Sequence, residues 1–133
     1  YWSTYWFDGR IYGTEIGRGL DVFGLLPSDH LSENEIKAAS TVIGGEVFNP
    51  QQQFPIRWPD QPVIARAYID QLQRSGDLSD ALAAEIGRAL DANNARELNR
   101  LARALTAGIA EDDPIAATRT RRLAETLAGI AAG

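Results

Sequence analysis

Apolar residues and turn formers alternate over the first 25 positions in a way that predicts three short strands. Residues 1–7 form an aromatic run. Asp8-Gly9 tolerates the positive φ values of a tight two-residue turn, and residues 11–16 return as the second strand of a β-hairpin. Gly17-Arg18-Gly19 predicts a second turn, and residues 20–25 a third strand that pairs back on the second as a meander. A first strand with two Trp and two Tyr must pair and pack against neighbours. A chain that opens inside such a strand is therefore expected to be the tail of a larger protein.

The pattern then changes. Pro27 and Ser28 end the strand, and Ser32-Glu33-Asn34-Glu35 has the spacing of a capping box ahead of Ile36, Ala38 and Ala39, predicting a short helix over 33–41. Residues 43–59 carry Gly44-Gly45, Asn49-Pro50, a glutamine run, Pro55 and Pro59, a composition that supports neither helix nor strand. They are expected to form a linker pinned by Phe48, Phe54 and Trp58.

From residue 60 the apolar positions take helical spacing, and four helices are predicted. Asp60 is expected to cap the first, with Ile64, Tyr68 and Leu72 on one face and Ser75-Gly76 at its end. Ser79 caps the second, striped by Leu82, Ile86 and Leu90. After Asn93-Asn94 comes the third, with Leu98, Leu101, Leu105 and Ile109 inward and Arg96, Arg100 and Arg103 outward. Asp113-Pro114 starts the fourth, whose seam is Leu123, Leu127 and Ile130. Short connections imply antiparallel neighbours. The expected fold class is α+β: an antiparallel β-meander followed by a small up-and-down helical bundle, with boundaries at 1–42, 43–59 and 60–133.

Composition sharpens the division, because every aromatic residue except Tyr68 lies at or before Trp58. The later part is rich in Ala, Leu, Arg and acids, as packed helices are. A net charge of −5 argues against a nucleic-acid partner, whose phosphates demand a basic surface. The absence of cysteine removes disulfides, thiol nucleophiles and Cys-based metal sites, leaving the compartment open. No apolar stretch approaches the roughly 20 residues that a membrane span requires. No leader pattern is present, so a signal peptide of a secreted parent is expected upstream.

Catalytic candidates are few. Ser28-Asp29-His30 holds all three residue types of a hydrolase triad, but three adjacent residues cannot place the imidazole between nucleophile and acid. Glu111-Asp112-Asp113 before Pro114 is better explained by the preference of acids for helix N-termini than by calcium. Gly13, Gly17 and Gly19 lack the order of a phosphate-binding loop. The arginines at 96, 100, 103, 119, 121 and 122 read as a solvated face, with an acidic partner as the competing reading. No catalytic residue, metal site or cofactor is assigned.

Trp2-Ser3-Thr4-Tyr5-Trp6, Gly9-Arg10-Ile11-Tyr12-Gly13 and Gly19-Leu20-Asp21-Val22-Phe23 together resemble the last blade of an LVIVD-repeat β-propeller, a group predicted among bacterial and archaeal cell-surface and secreted proteins. The third strand reads Leu-Asp-Val-Phe where the repeat implies Leu-Val-Ile-Val-Asp, and the likeness covers about residues 1–40. The resemblance implies a terminal blade with a helical tail, an extracellular or envelope location, and a partner that is the rest of the parent polypeptide or another protein chain. One blade alone cannot bury both its faces.

Two sets of residues become candidate binding sites. Trp2, Tyr5, Trp6, Tyr12 and Phe23 exceed what one face of a three-stranded sheet can hide, and exposed apolar area marks contact sites. In an intact propeller they would fill the space between blades. Glu15, Arg18 and Asp21 flank the second turn, where they either form a surface ion pair or reach a ligand at a propeller's rim. The leading expectation is a non-enzymatic structural and protein-interaction segment. The alternative is an accessory part of an enzyme or ligand-binding propeller whose active site lies on other blades. A third reading makes the chain self-contained, with its sheet folded over its own helices.

Overall fold

A computed structural model describes residues 3–42 and 56–133 of the chain. The fold is α+β, an antiparallel three-stranded sheet followed by helices. Two compact units divide at Trp58/Pro59. Tyr1, Trp2, Phe48 and Phe54, and most of the expected linker, lie outside the described residues.

In the first unit, β1 (Ser3–Phe7), β2 (Arg10–Glu15) and β3 (Gly19–Phe23) form a sheet in the order β1-β2-β3, with both pairs antiparallel. The strand ends differ from the sequence expectation by a few residues. Asp8 and Gly9 have φ of 46° and 72°, as a turn with two left-handed residues requires. Gly19, at φ 93°, serves the second turn, where the Glu15 carboxylate accepts the Arg18 N–H at 2.8 Å. Register places Trp6, Ile11 and Phe23 in one cross-strand row and Tyr5, Tyr12 and Val22 in the next.

The short helix α1 (Glu33–Ala39) begins with the predicted reciprocal cap: the Glu35 N–H donates to Ser32 Oγ at 3.1 Å, and the Ser32 N–H to Glu35 Oε2 at 2.7 Å. One face of the sheet meets this helix, because Trp6 Nε1 donates to the Ala39 carbonyl at 3.2 Å. A seven-residue helix has little stability of its own, so its cap matters. Ser32→Ala is expected to cost about 0.5–2 kcal/mol of the stability of this unit. Denaturation followed by Trp6 fluorescence, against a Trp2→Phe/Trp58→Phe background, checks it.

The second unit holds α2 (Pro62–Ser75), α3 (Asp80–Asp91), α4 (Ala95–Ala107) and α5 (Pro114–Ala132). Ser79, Asn94 and Asp113 cap α3, α4 and α5 through their side chains. Asp60 does not cap α2. Pro62 presets the first helical turn, which puts Gln61 at the cap position without a side-chain bond. The Asp60 carboxylate instead lies over Gly129, where a β-carbon would collide with it. Gly76, in the left-handed conformation at φ 83°, closes α2 and turns Leu78 inward to 7% exposure.

Helix ends show the up-and-down order. Asp60 and Gly129 bring the start of α2 to the end of α5, and Arg66 pairs with Asp91 at 2.6 Å, start of α2 to end of α3. α5 packs on both α2 and α4, while α3 touches α2 and α4 but not α5. Ile64, Leu72, Ile86, Leu98, Leu101, Leu123 and Leu127 are each less than 2% exposed, and all but Ile64 belong to one continuous aliphatic core. Ile109, expected inward on α4, lies beyond its end: Gly108 stands at the cap, and Ile109 is half-buried in the following loop.

Tyr68, half-buried on α2, titrates above the usual tyrosine range because burial disfavours its phenolate; Arg122 opposes that shift and Glu125 adds to it. With its pKa raised in the folded state, Tyr68 leaves stability intact below about pH 10 and removes it progressively as pH climbs through the folded value. Alkaline unfolding curves are expected to be flatter for Tyr68→Phe than for the parent chain. Equal curves would mean that this phenol does not control the alkaline limb.

Candidate functional site

The two faces of the sheet have different fates. Strand alternation puts Thr4, Trp6, Ile11, Gly13, Asp21 and Phe23 on the face that receives α1, and Ser3, Tyr5, Phe7, Tyr12, Leu20 and Val22 on the other. Ser3 and Thr14 share a hydroxyl hydrogen bond of 3.0 Å at the far end of this second face. On it Tyr5 is 38% exposed, Phe7 37%, Val22 54% and Leu20 59%. Tyr5 and Phe7 on β1 are separated from Leu20 and Val22 on β3 by β2, whose Tyr12 joins Tyr5 to Val22 in one apolar row while Arg10 stands opposite Phe7 and Thr14 opposite Leu20.

The aromatic candidates separate accordingly. Trp6 and Phe23 lie on the side of the sheet that meets α1, where Phe23 is still 41% exposed, Tyr5 and Tyr12 lie on the other side, and Trp2 lies outside the described residues. Phe7, Leu20 and Val22 belong to the open patch although the sequence reading did not single them out. Leu20 and Val22 flank Asp21, which faces the other side, and that alternation carried the signal for them; Phe7 shares its face with its register partner Arg10.

Among the described residues before Trp58, Ala38 is the one buried hydrophobic side chain, at 5% exposure. That is a very small core. The backbone edges are also open within this sheet, since β1 and β3 each pair on one side.

Glu15, Arg18 and Asp21 do come together. Arg18 Nε lies 3.7 Å from Glu15 Oε2, and its terminal nitrogen 3.3 Å from Asp21 Oδ2. One guanidinium thus bridges two carboxylates at the β2–β3 turn. The arrangement braces the turn, and the positive charge that would greet an anion is already engaged. His30 lies in a tight loop, its N–H donating to Ser28 Oγ at 3.3 Å, which places the serine hydroxyl against backbone and not against the imidazole. No cluster of three or more His, Asp or Glu suited to a metal occurs among the described residues.

Three of the six arginines singled out in the helical unit are engaged as well. Arg100 binds Glu97 and Glu85, Arg121 binds Glu111 at 2.8 Å, and Arg122 binds Glu125 at 2.8 Å. The Arg100 hydrogen bond holds the Glu97 carboxyl below the ordinary range. These pairs fit a solvated helix face. No helix among the described residues is long and apolar enough to cross a membrane.

Compared with protein-family models, with curated proteins and with solved structures, the chain matches none, so the open sheet face stands on its own physical description.

Proposed function

We propose that the chain is a non-enzymatic docking segment: a terminal propeller-like blade whose open face and edges are completed by the rest of its parent polypeptide or by another protein chain. The helical unit is its tail. The observation that carries this reading is the contrast between the units. Residues 3–42 bury only Ala38 among their hydrophobics while Tyr5, Phe7, Leu20 and Val22 lie exposed on one face of the sheet, whereas the helices enclose a full aliphatic core. Moving a Val, Leu or Phe from full exposure to full burial is worth about 1.5–3 kcal/mol, and these four side chains, 37–59% exposed, leave roughly half of that for a partner to gain. Blade-on-blade packing would supply such a cover. The extracellular or envelope location belongs to this same reading and rests on the resemblance to LVIVD-repeat propellers.

Native mass spectrometry of the protein purified untagged from its source tests the proposal. A second, β-rich polypeptide in stoichiometric amount, slowing amide exchange at Leu20 and Val22, is expected. A lone 14.5 kDa monomer with those amides equally protected contradicts it.

A further inference from the structure

The helical unit has a feature that the docking reading does not use. Where α2 and α4 end and α3 and α5 begin, a cavity of about 410 Å³ opens. It exists because α3 packs on α2 and α4 but stays clear of α5. Leu78, Leu82, Leu105 and Ile109 give it an aliphatic lining. The charged residues on its wall are Asp77, Asp112 and Asp113, and no Lys, Arg or His lines it.

The sign of the site follows from these carboxylates. Two helix N-termini and two C-termini meet at this end, so their partial charges of about half a unit each nearly cancel. Asp113 Oδ1 accepts the N–H groups of Ile115 and Ala116 at 2.8 and 3.1 Å, and Asp77 accepts the Ser75 hydroxyl. Those bonds orient the carboxylates without neutralising them. Size selects the ligand class. The volume falls in the lower part of the range of about 300–1,000 Å³ found for small-molecule pockets. Its place at the end of the bundle, rather than along a helix face, suits a compact body more than a docked helix.

We propose that this cavity binds a small amphiphilic organic cation, with its apolar body against Leu78, Leu82, Leu105 and Ile109 and its ammonium among Asp77, Asp112 and Asp113. The inference is independent of the role assigned to the sheet. Methyl-detected NMR titration of the full chain tests it with three probes. Phenylbutylammonium carries both features, phenylbutyrate reverses the charge on the same apolar body, and methylammonium lacks the apolar body.

Phenylbutylammonium is expected to shift the methyls of Leu78, Leu82 and Ile109 saturably and to bind roughly threefold to 100-fold more tightly than phenylbutyrate, each of three exposed ion pairs contributing roughly 1.4- to 5-fold. Methylammonium leaves those methyls in place. In the double variant Asp77→Asn/Asp112→Asn the preference for the cation falls by roughly threefold to tenfold. Equal or reversed affinity for the two phenylbutyl probes in the parent chain overturns the proposal. So do a preference unchanged in the double variant, an absence of saturable shifts, and shifts confined to other residues.

Discussion

Leu127→Ala lowers the stability of the helical unit by about 2–5 kcal/mol, the range for truncating a buried leucine whose surroundings cannot collapse. Leu127 is fully buried on α5, the helix that packs on both α2 and α4. Its loss opens a void beside the helix through which α2 and α4 are joined, since each of them packs on α5. Against a typical total of about 5–15 kcal/mol, this is a large fraction of what keeps a small domain folded. Urea unfolding followed by far-UV circular dichroism measures it. The midpoint falls while the slope with denaturant stays constant, because the surface exposed on unfolding hardly changes. A change under about 0.5 kcal/mol, the range for surface positions, would mean that Leu127 is not in a packed core.

The double substitution Leu20→Lys/Val22→Lys has the opposite profile. Both side chains are more than half exposed, so the stability of the isolated chain should move by no more than about 0.5 kcal/mol for each. Affinity for the protein that covers the sheet should fall at least about tenfold. The estimate follows from losing two apolar contacts, each worth roughly half of the about 1.5–3 kcal/mol for full burial because the side chains are already partly covered, before counting the cost of desolvating two ammonium groups. Lysines on β3, an edge strand, also oppose pairing with a further strand. Comparing recovery of the co-purifying polypeptide for the parent chain and the variant reads the effect. Equal recovery would remove this face from the interface.

Local chemistry made much of this fold legible in the sequence. Asp8-Gly9 specified its turn, Ser32 and Glu35 their reciprocal cap, and Asp113-Pro114 the start of α5, since each acts within four residues. Helical spacing picked out Ile64, Leu72, Ile86, Leu98 and Leu123, all now buried. Competing local effects explain the misplacements. Pro62 outweighed Asp60 in setting the start of α2, and the poor helix former Gly108 stands at the cap of α4, before Ile109, despite the unbroken apolar spacing.

Features assembled from distant segments were harder to read. The open patch needs the register that sets Tyr5 beside Tyr12 and Val22, and aromatic content alone mixed it with the face held under α1. The bridging role of Arg18 was half visible, because Glu15 and Asp21 each lie three residues away. The cavity at the end of the bundle draws on four helix termini, and no single stretch of sequence announces it.

Residue-resolved hydrogen exchange of the isolated chain tests most directly whether the sheet unit awaits a partner. Amides of β1, β2 and β3 are expected to exchange through openings of much lower free energy than those of Leu72, Leu98 and Leu127, because the sheet has little buried apolar surface to hold it. Sheet amides protected as strongly as those helical ones would show that the strands are complete as they stand, and would contradict the account.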